Sequence, residues 1–205
     1  MADMGALRDA VTGWAAGGSG ESAGELAEEL DVRTALLLEG PSDVAAVETL
    51  AADRGRDLAS EGVCVLAMGG AMSIGRYAAL LGPPGLGLRL VGLCDEAEKP
   101  FYDRGFDRVH ASRAGLFVCT ADLEDELVRA LGVPRIEEII HTEGDLRAWQ
   151  TFVRQPAQQD RLPPQRMRRF LGTKKGRKIR YAHLLTKALT PTRVPTPLTA
   201  LLANL

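Results

Sequence analysis

Short apolar runs and helix-spaced apolar positions alternate through the middle of the chain. Residues 34–38 are apolar and bounded by turn formers, the pattern of a buried strand. Residues 42–53 place Val44, Val47, Leu50 and Ala51 at helical spacing, with Ser42 expected as the N-cap. Val63 to Ala67 reads as a second strand, followed by Gly69-Gly70 and a helix over 72–81. Pro83-Pro84-Gly85 is a loop. Leu88 to Leu93 is a third strand ending at Asp95, residues 98–108 are expected to be helical, and Leu116 to Cys119 is a fourth strand followed by a helix to Leu131. Strands alternating with helices predict a mainly parallel four-stranded sheet covered by helices, an α/β fold. Before it, residues 4–16 and 23–30 predict short helices, with Gly17 to Gly20 as a flexible linker. After it no strand is convincing. Residues 135–140, 143–154, 163–171 and 176–189 read as helices, and Pro191, Pro195 and Pro197 mark a connector before a last helix over 198–205. The expected division is 1–32 as an N-terminal helical segment, 33–132 as the sheet domain and 133–205 as a helical extension.

The net charge of −2 over 205 residues hides an uneven distribution. All charges between Gly20 and Asp31 are acidic, and all eight between Gln165 and Tyr181 are basic. The basic stretch points to a polyanion-facing side. No run is long and apolar enough to span a bilayer, and no secretory signal opens the chain. Cys64, Cys94 and Cys119 sit in apolar runs without metal-ligand spacing, which reads as three reduced core thiols in a cytoplasmic protein.

The acids gain meaning when laid on this frame. Glu39 follows the first strand, and Asp43 lies in the first turn of the next helix. Asp95 ends the run Leu90 to Cys94, with Glu96 and Glu98 beyond, and Asp122, Glu124 and Glu126 follow the fourth strand. In a parallel sheet all these strand ends lie on one edge, where ligands bind in open α/β folds. Carboxylates gathered there repel unless a cation neutralises them, and hard oxygen donors suit Mg2+ or Mn2+, one ion or two. The residues taken alone leave plainer readings open: a solvated strand end, a helix cap at Ser42-Asp43, an acidic first turn after Asp122.

The segment Leu36-Leu37-Leu38-Glu39-Gly40-Pro41-Ser42-Asp43 resembles the first motif of the TOPRIM domain, shared by topoisomerases, bacterial primases and the overcoming-lysogenisation-defect (OLD) nucleases. Met68-Gly69-Gly70 resembles the glycine turn of that domain after its second strand. Leu93-Cys94-Asp95 resembles the start of its Asp-x-Asp motif, and Ala121-Asp122-Leu123-Glu124 the acidic segment of the OLD branch. The resemblance covers about residues 33–131 and implies a Rossmann-like sheet with Mg2+-dependent phosphodiester chemistry. It implies Glu39, Asp43, Asp95, Asp122 and Glu124 as metal ligands, with Glu39 and Asp95 catalytic. Two departures stand out. Position 97 is Ala where the second Asp would be, so that Glu98 is the substitute ligand, and no Gly-x-x-x-x-Gly-Lys-[Ser/Thr] loop is present, so that ATP-driven control would need a separately encoded ATPase.

The glycine-flanked basic segment from Gly172 to Ala182 enters a helix, an arrangement that holds phosphate. Arg168, Arg169, Lys174, Lys175, Arg177, Lys178 and Arg180 are the expected nucleic-acid contacts, with a solvated basic face as the plainer alternative. By resemblance to OLD nucleases, Lys178 is the first candidate for the lysine that stabilises the pentacovalent phosphate, with Lys175 next. Few aromatics accompany this segment, which favours backbone contact over base reading. His110, His141 and His183 show no paired spacing and read as structural or surface residues; Trp14 and Trp149 read as packing. The leading expectation is a nuclease hydrolysing DNA, with RNA also open, without strong sequence specificity. The alternatives are a catalytically weak nucleic-acid-binding or ATPase-docking module, and a nucleotidyl transferase. Oligomeric state is left open.

Overall fold

A computed structural model describes residues 3–173 and 175–205, apart from the side chain of Lys175. Four strands, β1 (Thr34–Leu38), β2 (Val63–Ala67), β3 (Arg89–Asp95) and β4 (Leu116–Cys119), form one sheet in the order β2-β1-β3-β4, every neighbouring pair parallel. The register pairs Leu38 with Ala67 on one side and with Leu93 on the other, and pairs Asp95 with Cys119. All four carboxyl ends therefore open on the same edge.

Alternation along β1 divides the molecule into two cores. Leu36 and Leu38 face one side with Val65, Val91 and Leu93, while Ala35 and Leu37 face the other with Cys64, Leu66 and Cys94. The second face is covered by α1 (Met4–Ala15), α2 (Glu21–Glu29), α4 (Ile74–Leu81) and α5 (Lys99–Arg108). The first is covered by α3 (Pro41–Asp53), α6 (Leu123–Leu131), α7 (Val133–Thr142), α8 (Leu146–Val153), α10 (Pro163–Leu171), α11 (Lys175–Lys187) and α12 (Thr196–Asn204). A single turn, α9 (Pro156–Gln159), links α8 to α10. The first crossover runs through α3 on one face, and the next two run through α4 and α5 on the other. Right-handed crossovers demand this change of face when the winding reverses, and the reversal falls between β1 and β3.

The expected elements are present, with several corrections. The N-cap of α3 is Gly40, not Ser42: Pro41 opens the helix, and the Gly40 N–H donates to Asp43 Oδ2 at 2.9 Å. Gly17 to Gly20 forms a hydrogen-bonded turn rather than a loose linker. Its Gly18 N–H donates to Gly13 O at 3.0 Å, and the Trp14 ring fills the space beside Gly20. The helix expected over 72–81 begins with a 3-10 turn over 71–73, and α7 runs on to Thr142 before Gly144, at φ 76, ends it. The three cysteines are buried and unpaired as expected, and burial pushes Cys64 up to about 11 and Cys94 to about 12, away from thiolate chemistry. Among the described residues no helix is long and apolar enough to cross a membrane.

Candidate functional site

The acids converge at the switch point between β1 and β3. Glu39 is the residue after Leu38, and its backbone is fixed by the glycine turn after β2. There the Gly70 N–H donates to Glu39 O at 3.0 Å and the Met68 N–H to Leu38 O at 2.9 Å. Gly69 and Gly70 have φ of 75 and 125, conformations that a side chain rarely adopts. Beneath this edge Tyr102 is fully buried against Gly92, where an added Cβ would meet the ring at 3.0 Å. Asp122 caps α6 by accepting the Asp125 N–H at 2.8 Å. The preceding Ala121 is held at φ 65, an uncommon conformation for a residue with a Cβ.

Electrostatics tie the separate strand ends together. Burial, then the charges of Asp43, Asp122, Glu39 and Glu124, push Asp95 up to about 7. Burial and the neighbouring Asp43 and Glu98 raise Glu39. Burial is also the main cause for Asp43, where Lys178 and the Gly40 N–H act in the opposite direction. Glu124 is pushed up to about 7 by burial, against the pull of Lys178. Glu39, Asp43, Asp95 and Glu124 are each raised in part by other acids at this edge, Glu98 acting on Glu39 and Asp122 acting on all four.

Two cations from the C-terminal helices face this field. Arg168 of α10 reaches Asp122 Oδ2 through Nε at 2.7 Å and Nη2 at 2.6 Å. Lys178 of α11 lies 3.3 Å from Glu124 Oε2, and although burial lowers its pKa, the acids Glu124, Asp43 and Asp95 hold it above the ordinary lysine range. The other expected phosphate contacts divide. Arg169 is exposed on α10. Arg177 is stacked over Phe170 and bonded to Thr173, and Arg180 pairs with Glu143 and Asp145, so these two guanidiniums are engaged within the helical region. Lys174 and the side chain of Lys175 lie outside the described residues. Glu126, which follows the same strand but was not among the expected ligands, accepts the Thr120 N–H at 2.8 Å and pairs with Arg129. His183 bonds Thr49 across α11 and α3, and Trp149 donates to Glu137, both as structural residues.

A cavity of about 600 Å3 opens between Asp122, Glu124 and the α10–α11 turn. Arg161 and Gln165 line it beside Arg168 and Arg169, and neither was singled out from the sequence. Gln165 and Arg168 lie three apart on α10 and share a face, which was the available signal for Gln165, whereas Arg161 precedes the helix. Among the described residues no three His, Cys, Asp or Glu side chains already stand at coordinating distance. The donor chemistry nevertheless fits a hard divalent cation: the acids are oxygen donors, they repel one another, and Glu124 Oε1 is buried without a hydrogen-bond partner.

An all-parallel β2-β1-β3-β4 sheet, with acids at its switch point and a glycine turn beside them, is the arrangement that the resemblance to TOPRIM domains implied. The chain carries an OLD-like TOPRIM domain: residues 32–96 match the family model described as overcoming lysogenization defect protein-like, TOPRIM domain. The whole fold is similar to the C-terminal region of the Burkholderia pseudomallei OLD protein, with TM-score 0.63 and 22% identity over 84% of this chain and 96% of that one. It is likewise similar to the C-terminal region of the Xanthomonas campestris pv. campestris OLD protein, with TM-score 0.61 and 26% identity over 84% and 93%. The comparison with curated proteins returns no match. The chain thus has the fold of these OLD C-terminal regions, with a TOPRIM match over residues 32–96.

Proposed function

We propose that the protein is a divalent-metal-dependent nuclease acting on DNA phosphodiesters without strong sequence reading. The observation that carries this reading is that Glu39, Asp95 and Asp122 stand at or just after the carboxyl ends of the parallel strands β1, β3 and β4 and so share one sheet edge. Carboxylates from three strand ends brought to one switch point suit cation binding better than core stability. Glu39, Asp43 and Asp95 would hold Mg2+ or Mn2+ on the β1–β3 side, with Glu98 near Glu39, and Asp122 and Glu124 on the α6 side. Divalent cations in such a setting polarise phosphoryl oxygens and lower the pKa of water.

The residues of the chain supply the remainder. Lys178 presents an ammonium held charged by its acidic neighbours, suited to donating to a non-bridging phosphate oxygen as negative charge builds there. Arg168 and Arg169 lie along the approach of the strand and contact phosphate without reading bases. The rings of Phe170 and Trp149 are buried in the core, which leaves no stacking platform on this wall.

A plasmid-nicking assay tests the proposal. Nicking with Mg2+ or Mn2+ is expected from the wild type, with a loss of at least about a hundredfold in Glu39→Ala while the fold is kept. Full activity in a pure Glu39→Ala preparation would remove that residue from the mechanism. The presence of Ala97 on the β3 side favours a second reading, a weak-metal module that binds nucleic acid without turnover. Measurable DNA affinity with no nicking in either metal would select it.

A further inference from the structure

Asp122 is committed on both of its oxygens. Oδ1 accepts the Asp125 N–H that caps α6, and Oδ2 accepts the Arg168 Nε–H at 2.7 Å, with Arg168 Nη2 ion-paired to it at 2.6 Å. Glu124 differs, because only Oε2 faces Lys178 and Oε1 has no partner. A cation reaching Asp122 must therefore compete with a guanidinium, whereas one reaching Glu124 finds a free oxygen. The two halves of the Asp122–Arg168 pair are not equally fixed. The Asp122 side chain is 17% exposed and anchored as a cap, while that of Arg168 is 42% exposed on the wall of the cavity. The arginine is the partner that can move. The same wall carries Arg161, Gln165, Arg169 and Thr173, and a guanidinium pairs with phosphate as readily as with carboxylate.

We propose, building on the phosphodiester reading above, that Arg168 exchanges between two partners. It neutralises Asp122 until a divalent cation takes that carboxylate, and then turns within the cavity to hold a nucleic-acid phosphate beside the reacting one. Arg168 is thus a positioning residue that couples the two binding events. The coupling arises because Arg168 contacts phosphate only in the cation-loaded state, and linkage makes the effect reciprocal. Arg169 lines the same cavity with no acidic partner among the described residues and provides the contrast.

The test is binding, not turnover. A fluorescent DNA oligonucleotide, both duplex and single-stranded, is titrated with wild type, Arg168→Gln and Arg169→Gln, in Ca2+ and in chelator. Free Mn2+ is titrated separately in the absence of DNA. Ca2+ should tighten wild-type binding roughly tenfold, and this gain should fall to about twofold in Arg168→Gln. Arg169→Gln should weaken binding by a similar factor in both conditions and keep the Ca2+ gain. Mn2+ affinity of Arg168→Gln should equal or exceed that of wild type, since a competitor for Asp122 is gone. A wild-type Ca2+ gain in Arg168→Gln, a loss of its Mn2+ affinity, or a wild type that binds neither oligonucleotide would each overturn the inference. Absence of nicking would count against the nuclease reading alone, because no readout here depends on cleavage.

Discussion

At the scale of single residues, the acids are held where ionisation is unfavourable. Asp95 rises from 3.8 to about 7, chiefly through burial and then through Asp43, Asp122, Glu39 and Glu124. The folded state therefore binds its proton more tightly than the unfolded chain does. Between about pH 4 and about pH 7 this group contributes stability that is full at the acid end and lost as pH rises. Asp95→Asn removes the charge without changing the shape. In the absence of divalent cations its melting temperature should exceed that of wild type by roughly 2–4 °C more at pH 8 than at pH 5, which corresponds to about 1 kcal/mol. Thermal melts at the two pH values check this, and an equal difference at both would contradict the electrostatic account. The positions of Glu39 and Asp95 were legible because each acid ends an apolar run, and the strand pattern alone sends both to one edge. The Arg168–Asp122 pair was not legible in that way. It depends on how α10 packs beside α6, with the partners 46 positions apart in sequence. The residue pattern alone did not separate Glu124 from Glu126; the resemblance selected Glu124, and in the structure the turn at Thr120 and the reach of Arg129 draw Glu126 away.

At the scale of elements, the site is set by turns more than by strands. The glycine turn after β2 fixes the Glu39 carbonyl through the Gly70 N–H, and Gly70 sits at φ 125 and ψ 150, a region almost restricted to glycine. A Cβ there would meet nothing within 4 Å, so the cost of Gly70→Ala is conformational rather than steric. That substitution should destabilise the protein by about 1–3 kcal/mol in denaturant titrations, and a change below about 0.5 kcal/mol would show that the turn is not under this constraint. Capping explains why sequence boundaries slipped by a residue or two. Ser42 has the chemistry of an N-cap, but Pro41 fixes its own φ and opens α3 one residue earlier, leaving Gly40 as the cap and Asp43 as its hydrogen-bond acceptor. Asp43 thus serves both the helix start and the acidic edge, so its sequence reading as a cap and its reading as a ligand were not exclusive.

At the scale of the whole molecule, the sheet is a partition with different work on each face. One face packs α1, α2, α4 and α5, and the other shares a core with the C-terminal helices, where Phe170 and Trp149 lie edge to face at 5.1 Å. That shared core brings Arg168 and Lys178 from late in the chain to acids fixed near its start and middle. The alternating pattern made the parallel sheet and its open edge readable, because parallel strands joined by helices leave few topologies, whereas the order β2-β1-β3-β4 comes from the structure. The packing of helices joined by loops is less constrained, which is why the basic wall was foreseen as a charge run and not as a cavity. The central claim is that acids from separate strand ends form one seat for divalent cations. The most direct measurement is an anomalous-scattering map from crystals of the protein grown with Mn2+. A peak bounded by Glu39, Asp43 and Asp95, with or without a second beside Glu124, is the result expected; Mn2+ bound only elsewhere, with this edge clear of it, would contradict the account.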